Sequence, residues 1–369
     1  MKQPLSKTTI CLNMIVKNEA KVIARCLESV KPLIDHWVIV DTGSDDGTQE
    51  IIHKTMKDIP GELHERPWRD FGYNRTEAIT LARNKAHYLF AIDADDILII
   101  PPKFVMPKLT KDVYSLRIEH AEIRHWRMQL FRADLDFHYV GVLHEALISH
   151  SPRTHARLEQ LLYKCIPDGY RSSDSDKYRK DAALLEHALT VEPANTRYAF
   201  YLAQSLRDAG EFEKAIAAYT HRANMGGWEE ENYFSLYEIG RLSALLGLDD
   251  KIVIERYLKA YERFPTRAEP LYNLAVFLRN RGRHVAAYPF ARAASEIPIP
   301  NHTLFVDDSV YAWRALDEYA VAASWAGHFK EAILANKKLL LSKILPESER
   351  GRIQKNLEFC REKIGRVKK

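Results

Sequence analysis

Over the first hundred residues, short and almost wholly apolar runs alternate with longer stretches of helical period. Ile10–Val16, Trp37–Val40 and Tyr88–Ile92 read as buried strands, and the stretches near Lys21–Lys31, Thr48–Lys57 and Asn74–Ala86 read as helices. The order β-α-β-α-(β)-α-β predicts an α/β fold, a mostly parallel sheet with helices on both faces. The ligand crevice of such a sheet lies at the carboxyl ends of its strands. Candidate chemistry therefore sits on the polar residues that directly follow the strands: Lys17-Asn18-Glu19, the run Asp41 to Thr48, and Asp93-Ala94-Asp95-Asp96.

Beyond about Lys177 the pattern becomes helical throughout and a repeat emerges. Ala203, Gly210 and Ala215 are spaced seven and five apart, and so are Ala275, Gly282, Ala287 and Ala320, Gly327, Ala332. A degenerate copy runs Gly240, Gly247, Ile252, and the glycines Gly210, Gly247, Gly282 and Gly327 lie 37, 35 and 45 residues apart. Small residues where paired helices approach, with glycine ending the first helix of each pair, predict an all-α solenoid that resembles tetratricopeptide repeats. Tyr219 and the series Tyr257, Ala260, Pro265 extend the match, and Lys177–Pro193 reads as a half-repeat opening the array. Between Leu147 and Asp176, Pro152, Pro167, Gly169 and a polar run from Arg171 give loop composition. The expected organisation is thus 1–170, 171–345 and a basic C-terminal helix or tail over 346–369.

Charge and cysteine usage narrow the class further. The chain carries 54 basic and 50 acidic residues, for a net charge of +4, and the tail from Pro346 holds 8 of the former against 4 of the latter. The remainder is balanced, so no global basic field argues for nucleic acid. Four cysteines without CxxC spacing suggest neither a zinc knuckle nor a disulfide framework. With no secretory leader after Met1–Lys7 and no apolar run of spanning length, the expectation is a cytoplasmic protein without a membrane span. Self-association is left open.

Four motifs in order resemble glycosyltransferase family 2: Met14 to Glu19, Val38 to Thr48, Asn74-Arg75, and Phe90 to Asp96. The resemblance spans roughly residues 8 to 150 and implies a GT-A fold and a nucleotide diphosphate sugar as donor, UDP-linked in the family reading. Losing a diphosphate develops negative charge that a divalent cation stabilises. Asp93 and Asp95, two apart at the end of an apolar strand, share a face and offer hard oxygen ligands suited to Mg²⁺ or Mn²⁺. The resemblance makes Asp95 the direct ligand and Asp93 a contact to metal or ribose. A solvated acidic turn is the alternative. Asp41 would accept a hydrogen bond from the pyrimidine ring, with Val16, Asn18 and Glu19 lining the same pocket; alternatively Asp41 stabilises its own turn. Arg75 would pair with Asp93 or a phosphate, or else form an ion pair with Glu77 or Asp70.

Further along, Leu130-Phe131-Arg132 and Tyr139 to Glu145 resemble the later part of the same family, where a His-Glu pair closes the catalytic domain. An inverting transfer needs a carboxylate beside the acceptor hydroxyl. Glu145 is the first candidate and Asp136 the second, while His144 would ligate metal or hold Glu145. Arg171 belongs either to a lid over the diphosphate or to an interdomain linker. The combined expectation is an inverting, metal-dependent glycosyltransferase whose repeats hold a protein, peptide or saccharide acceptor. The rival is a repeat scaffold whose transferase-like domain only binds a nucleotide.

Overall fold

The computed structural model describes residues 8–120, 123–151 and 153–367. The leading segment 1–7, Pro152 and the last two lysines of the basic tail lie outside the described residues. The chain forms two compact units that divide between Tyr201 and Leu202.

In the first unit the expected elements follow one another as β1 (Ile10–Val16), α1 (Ile23–Val30), β2 (His36–Asp41), α2 (Thr48–Met56), β3 (Gly61–Glu65), α3 (Phe71–Ala82) and β4 (Tyr88–Ala91). Next come β5 (Ile97–Ile99), β6 (Val113–His120), β7 (Ile123–Arg132), β8 (His138–Val140), β9 (Ala146–Ile148) and β10 (His155–Lys164). The main sheet runs β3-β2-β1-β4-β7-β6-β10-β5. Its first four strands are parallel, as β1 pairs with β2 and β4 and β2 with β3. The second half is mixed: β7 is antiparallel to both β4 and β6, while β10 is parallel to β6. The expectation of a mostly parallel sheet therefore holds for its first half only, because β6 and β7 pair as an antiparallel hairpin that needs no crossover helix. One face buries Ile23, Cys26 and Leu27 of α1 and Ile52 and Met56 of α2; the other buries Ile79 and Ala82 of α3.

The α3 face is tied down by buried polar groups. Asn13 of β1 donates its side-chain amide to the Ala78 carbonyl at 2.8 Å. Asn74, fully buried, accepts from the Arg69 backbone N–H at 2.9 Å and donates to the Pro67 carbonyl at 3.1 Å. Asn74 thus staples the incoming segment to the helix, and its neighbour Arg75 turns toward the strand ends.

α4 (Lys177–Val191) lies in the first unit, and α5 (Thr196–Asp208) straddles the division. The second unit continues with α6 (Phe212–Asn224), α7 (Glu229–Leu245), α8 (Asp250–Arg263), α9 (Glu269–Asn280), α10 (His284–Glu296), α11 (Ala315–Trp325), α12 (Phe329–Leu341) and α13 (Glu347–Val367). Each of the four repeat glycines has a positive φ, between 68° and 86°. At each one, the following N–H reaches back to the final turn: Glu211 to Leu206, Leu248 to Ser243, Arg283 to Leu278 and His328 to Ala323. This left-handed cap is the physical content of the glycine spacing. Ala203, Ala215, Ala275, Ala287, Ala320 and Ala332 are all buried. The degenerate copy is displaced by one residue. α8 starts one position later after its glycine than α6, α10 and α12, so Val253 is buried and Ile252 is exposed. Of the C-terminal stretch, Glu347–Val367 form a packed helix, with Ile353, Leu357 and Cys360 buried.

Candidate active site

The first three strand ends gather the polar segments. Thr42 donates its N–H and its hydroxyl to the Val16 carbonyl at 2.9 and 3.0 Å, which locks the end of β2 to that of β1. Asn18 takes a left-handed backbone (φ 55°), donates its N–H to Ser44 Oγ and accepts from the Asp45 N–H at 2.9 Å. Val16 and Asn18 therefore shape the turn after β2. Asp41 is fully buried, and its Oδ1 accepts from the N–H groups of Gly43 and Ser44 at 2.8 and 2.7 Å. Its Oδ2 is buried without a partner. The two alternatives for Asp41 are thus compatible: one oxygen organises the turn, and the other is an orphan acceptor of the kind that a ligand N–H would satisfy.

Asp93, just beyond β4, is held on both carboxylate oxygens. Arg75 pairs with Oδ1; Tyr163 of β10 donates its hydroxyl to Oδ2 at 3.3 Å and accepts the Asp93 N–H at 3.0 Å. Arg127 of β7 lies 3.6 Å from Oδ2. Burial alone would push the Asp93 carboxyl up, but the charges of Arg75 and Arg127 outweigh it and hold the group at about 2. Arg75 also places its Nε 2.5 Å from Glu145 Oε1, with both side chains mostly buried. One guanidinium thus bridges two carboxylates that lie fifty-two residues apart in sequence. Glu77 pairs with Arg66 instead, and Asp70 caps α3 by accepting the Tyr73 N–H.

The Glu145 position depends on a close backbone approach. A side chain at Gly72 on α3 would meet the Gly141 carbonyl oxygen at 2.5 Å, so only glycine lets the β8–β9 hairpin dock there. Thr76 completes the docking, accepting the Tyr139 N–H at 2.9 Å and donating to its carbonyl at 3.2 Å. Asp136 and His144 go elsewhere. Asp136 accepts from the Ser149 hydroxyl and from the His150 N–H at 2.9 Å, and touches none of the crevice groups described above. His144 stacks on Tyr201 with ring centroids 4.0 Å apart. Burial, with Arg171, Arg197 and Lys177 nearby, lowers it to about 3. The His144 ring is thus taken up by Tyr201, and Glu145 is held by Arg75 instead.

A strap after β10 covers Asp95. Gly169 lies so close that a methyl group in its place would sit 2.7 Å from Asp95 Oδ2. The strap is latched by Arg25, which donates to both oxygens of Asp168 at 2.8 Å and to the Asp95 carbonyl at 2.6 Å. The Tyr170 N–H donates to Glu19 Oε2 at 3.2 Å. Burial first, and the nearby charges of Asp95, Asp46 and Asp168 after it, push the Glu19 carboxyl up to about 7. Asp95 is likewise raised, by burial and by Asp93. Arg171 pairs with Asp181 and lies over the Phe71 ring at 4.8 Å.

Among the described residues no group of three or more His, Cys, Asp or Glu side chains is gathered to hold a metal ion. Asp93 is committed to Arg75 and Tyr163, which leaves the Asp95 carboxylate as the available hard ligand. Such a donor set fits a cation that brings phosphate oxygens and water with it, as Mg²⁺ does, rather than an all-protein cage. Arg127, Tyr163, Arg25 and Gly169 were absent from the sequence-based site. Arg127 and Tyr163 lie on later strands, Gly169 on the strap and Arg25 on α1, and no local motif marks them.

Residues 11–105 match the family described as Glycosyl transferase family 2. The chain carries a family 2 glycosyltransferase domain. The SPbeta prophage-derived glycosyltransferase SunS of Bacillus subtilis is 27% identical over 224 residues, which cover 56% of this chain and 51% of SunS. The chain thus spans about half the length of the curated relatives it matches first. A TPR repeat-containing protein of Synechococcus elongatus is 34% identical over 96 residues, 26% of this chain and 22% of that protein. Among solved structures, YrrB, titled a TPR protein with an unusual peptide-binding site, covers 49% of this chain and 85% of its own length at 16% identity and a TM-score of 0.37. The family 2 domain has the GT-A type of sheet, and the helix pairs that follow are tetratricopeptide-like. No helix among the described residues is long and apolar enough to cross a membrane.

Proposed function

We propose that the chain transfers a sugar, with inversion, from a UDP-linked donor to an acceptor hydroxyl. The observation that carries this reading is the buried Arg75 bridge between Asp93 and Glu145, within a domain that matches family 2. The uracil ring N–H satisfies the orphan Asp41 Oδ2, and Val16, Asn18 and Glu19 surround the nucleoside. Asp95 would hold a Mg²⁺ or Mn²⁺ ion, whose chemistry there would be to neutralise charge on the leaving group. The acceptor oxygen attacks the anomeric carbon from the face opposite the diphosphate. The bond from carbon to phosphate oxygen breaks with its electron pair, and the acceptor proton passes to Glu145. Arg75 fixes Glu145 and Asp93 at one spacing, so that base and donor site are pre-organised together. The helical repeats present an extended surface suited to a protein or peptide acceptor.

The test is a panel of UDP- and GDP-sugars with the wild-type chain, with and without Mg²⁺ or Mn²⁺, read by calorimetry and by release of nucleoside diphosphate. Metal-dependent release from a UDP-sugar is expected. Binding without release under every condition would favour the scaffold reading, and absence of any nucleotide binding would overturn both.

A further inference from the structure

The arginines in the crevice and near its rim differ in their commitments. Arg75 is buried between Asp93 and Glu145. Arg25 is held by both oxygens of Asp168 and by a carbonyl. Arg171 is paired with Asp181. Arg197 donates to the His144 carbonyl at 2.8 Å. Arg127 stands apart in its pairing: its charged partner is Asp93 Oδ2, at 3.6 Å and beyond hydrogen-bond reach, and its Nε, like that of Arg75, has no hydrogen-bond partner. Its side chain is 41% exposed, yet its position is fixed, because the guanidinium plane lies 4.7 Å from the Tyr163 ring centroid. The sheet sets its location. Phe90 of β4 faces Leu130 of the antiparallel β7, so three residues onward on one strand and three back on the other bring Asp93 and Arg127 to the same edge of the crevice.

We propose that Arg127 is the protein cation that receives the diphosphate of the donor; this rests on the nucleotide-sugar reading above. A planar fork with unmet N–H donors, stacked so that little rotamer freedom remains to be lost, matches the bidentate geometry of phosphate oxygens. Asp93 is already neutralised by Arg75, so it does not compete fully for this second guanidinium. A sugar hydroxyl or the uncharged nucleoside would leave its charge unused.

The decisive measurement compares UDP with uridine, and GDP with guanosine, by calorimetry at fixed Mg²⁺ and two salt concentrations. Arg127→Met should weaken nucleoside diphosphate binding roughly tenfold or more, flatten its salt dependence and leave nucleoside binding unchanged. Arg127→Lys keeps the charge without the fork and should lose about threefold to tenfold; it decides the question if the Met variant unfolds at a lower temperature than wild type. Unchanged diphosphate affinity overturns the assignment. So does an equal loss for diphosphate and nucleoside, which would make Arg127 a support for Asp93. A wild-type chain that binds neither diphosphate would remove the donor reading itself, and Arg127's role with it.

Discussion

Arginine–glutamate pairs are buried in both units, and they are built differently. In the helical unit Arg267 and Glu269 are two residues apart, joined by bonds of 2.8 to 3.1 Å. The remaining valences are closed by the carbonyls of Leu304 and Phe305 and by the Tyr311 hydroxyl. In the crevice, Arg75 spans Asp93 and Glu145 from separate elements, while Asp41 Oδ2 and Arg127 Nε close on nothing. An open valence alone does not mark a site, since Arg222 of the buried Arg222–Glu231 pair in the helical unit also leaves its Nε without a partner; the crevice differs in drawing its charges from distant segments, the arrangement of a cluster poised to meet a ligand.

Substitutions can break that contrast. The largest effect is expected from Asp95→Asn, which removes the free hard ligand: turnover should fall by about 10²-fold or more at unchanged unfolding temperature. Near-parental turnover would remove the metal role. Glu145→Gln should lower kcat roughly 10²-fold with donor affinity nearly unchanged. A full rate would send the search for a base elsewhere, with Asp136 disfavoured by its bonds to Ser149 and His150.

Arg267→Met sharpens the other side of the comparison. It leaves Glu269 buried and unpaired, so denaturant unfolding should report a loss of about 3–5 kcal/mol, with nucleotide affinity unaffected. A smaller effect follows from Gly169→Ala, whose methyl would press on Asp95 Oδ2. Several-fold weaker Mg²⁺-dependent UDP binding is expected, and unchanged binding would show that the strap yields freely.

The smallest effect is on pH dependence. His144 is lowered from 6.5 to about 3, so between those values the unfolded chain takes up a proton that the folded chain refuses. Its contribution to stability is therefore full above pH 6.5 and declines as the pH falls toward 3. His144→Phe, which keeps a ring against Tyr201, should make the acid-side slope of unfolding free energy shallower by up to one proton.

What could be read along the chain was what neighbouring residues decide. The apolar runs of β1, β2 and β4 and the polar turns behind them are set by period and by local hydrogen bonding. The repeat glycines are legible because a left-handed cap requires that residue at that place. The mixed half of the sheet, the docking of the β8–β9 hairpin through Gly72 and Gly141, and the strap across Asp95 carry no such local signature. They are fixed by the β4–β7–β6–β10 register and by backbone approaches between segments distant in sequence. For that reason Asp93, Asp95 and Asp41 stood out as motif residues, while Arg127 and Tyr163, which need a strand pairing to reach Asp93, did not. His144 and Asp136 failed in the opposite sense: their sequence neighbourhood pointed to the crevice, and packing against Tyr201 and hydrogen bonds from Ser149 and His150 took them elsewhere. The alphabet of the site was local, and its assembly was decided by tertiary register, because strand pairing and hairpin docking respond to the whole buried surface rather than to any one segment.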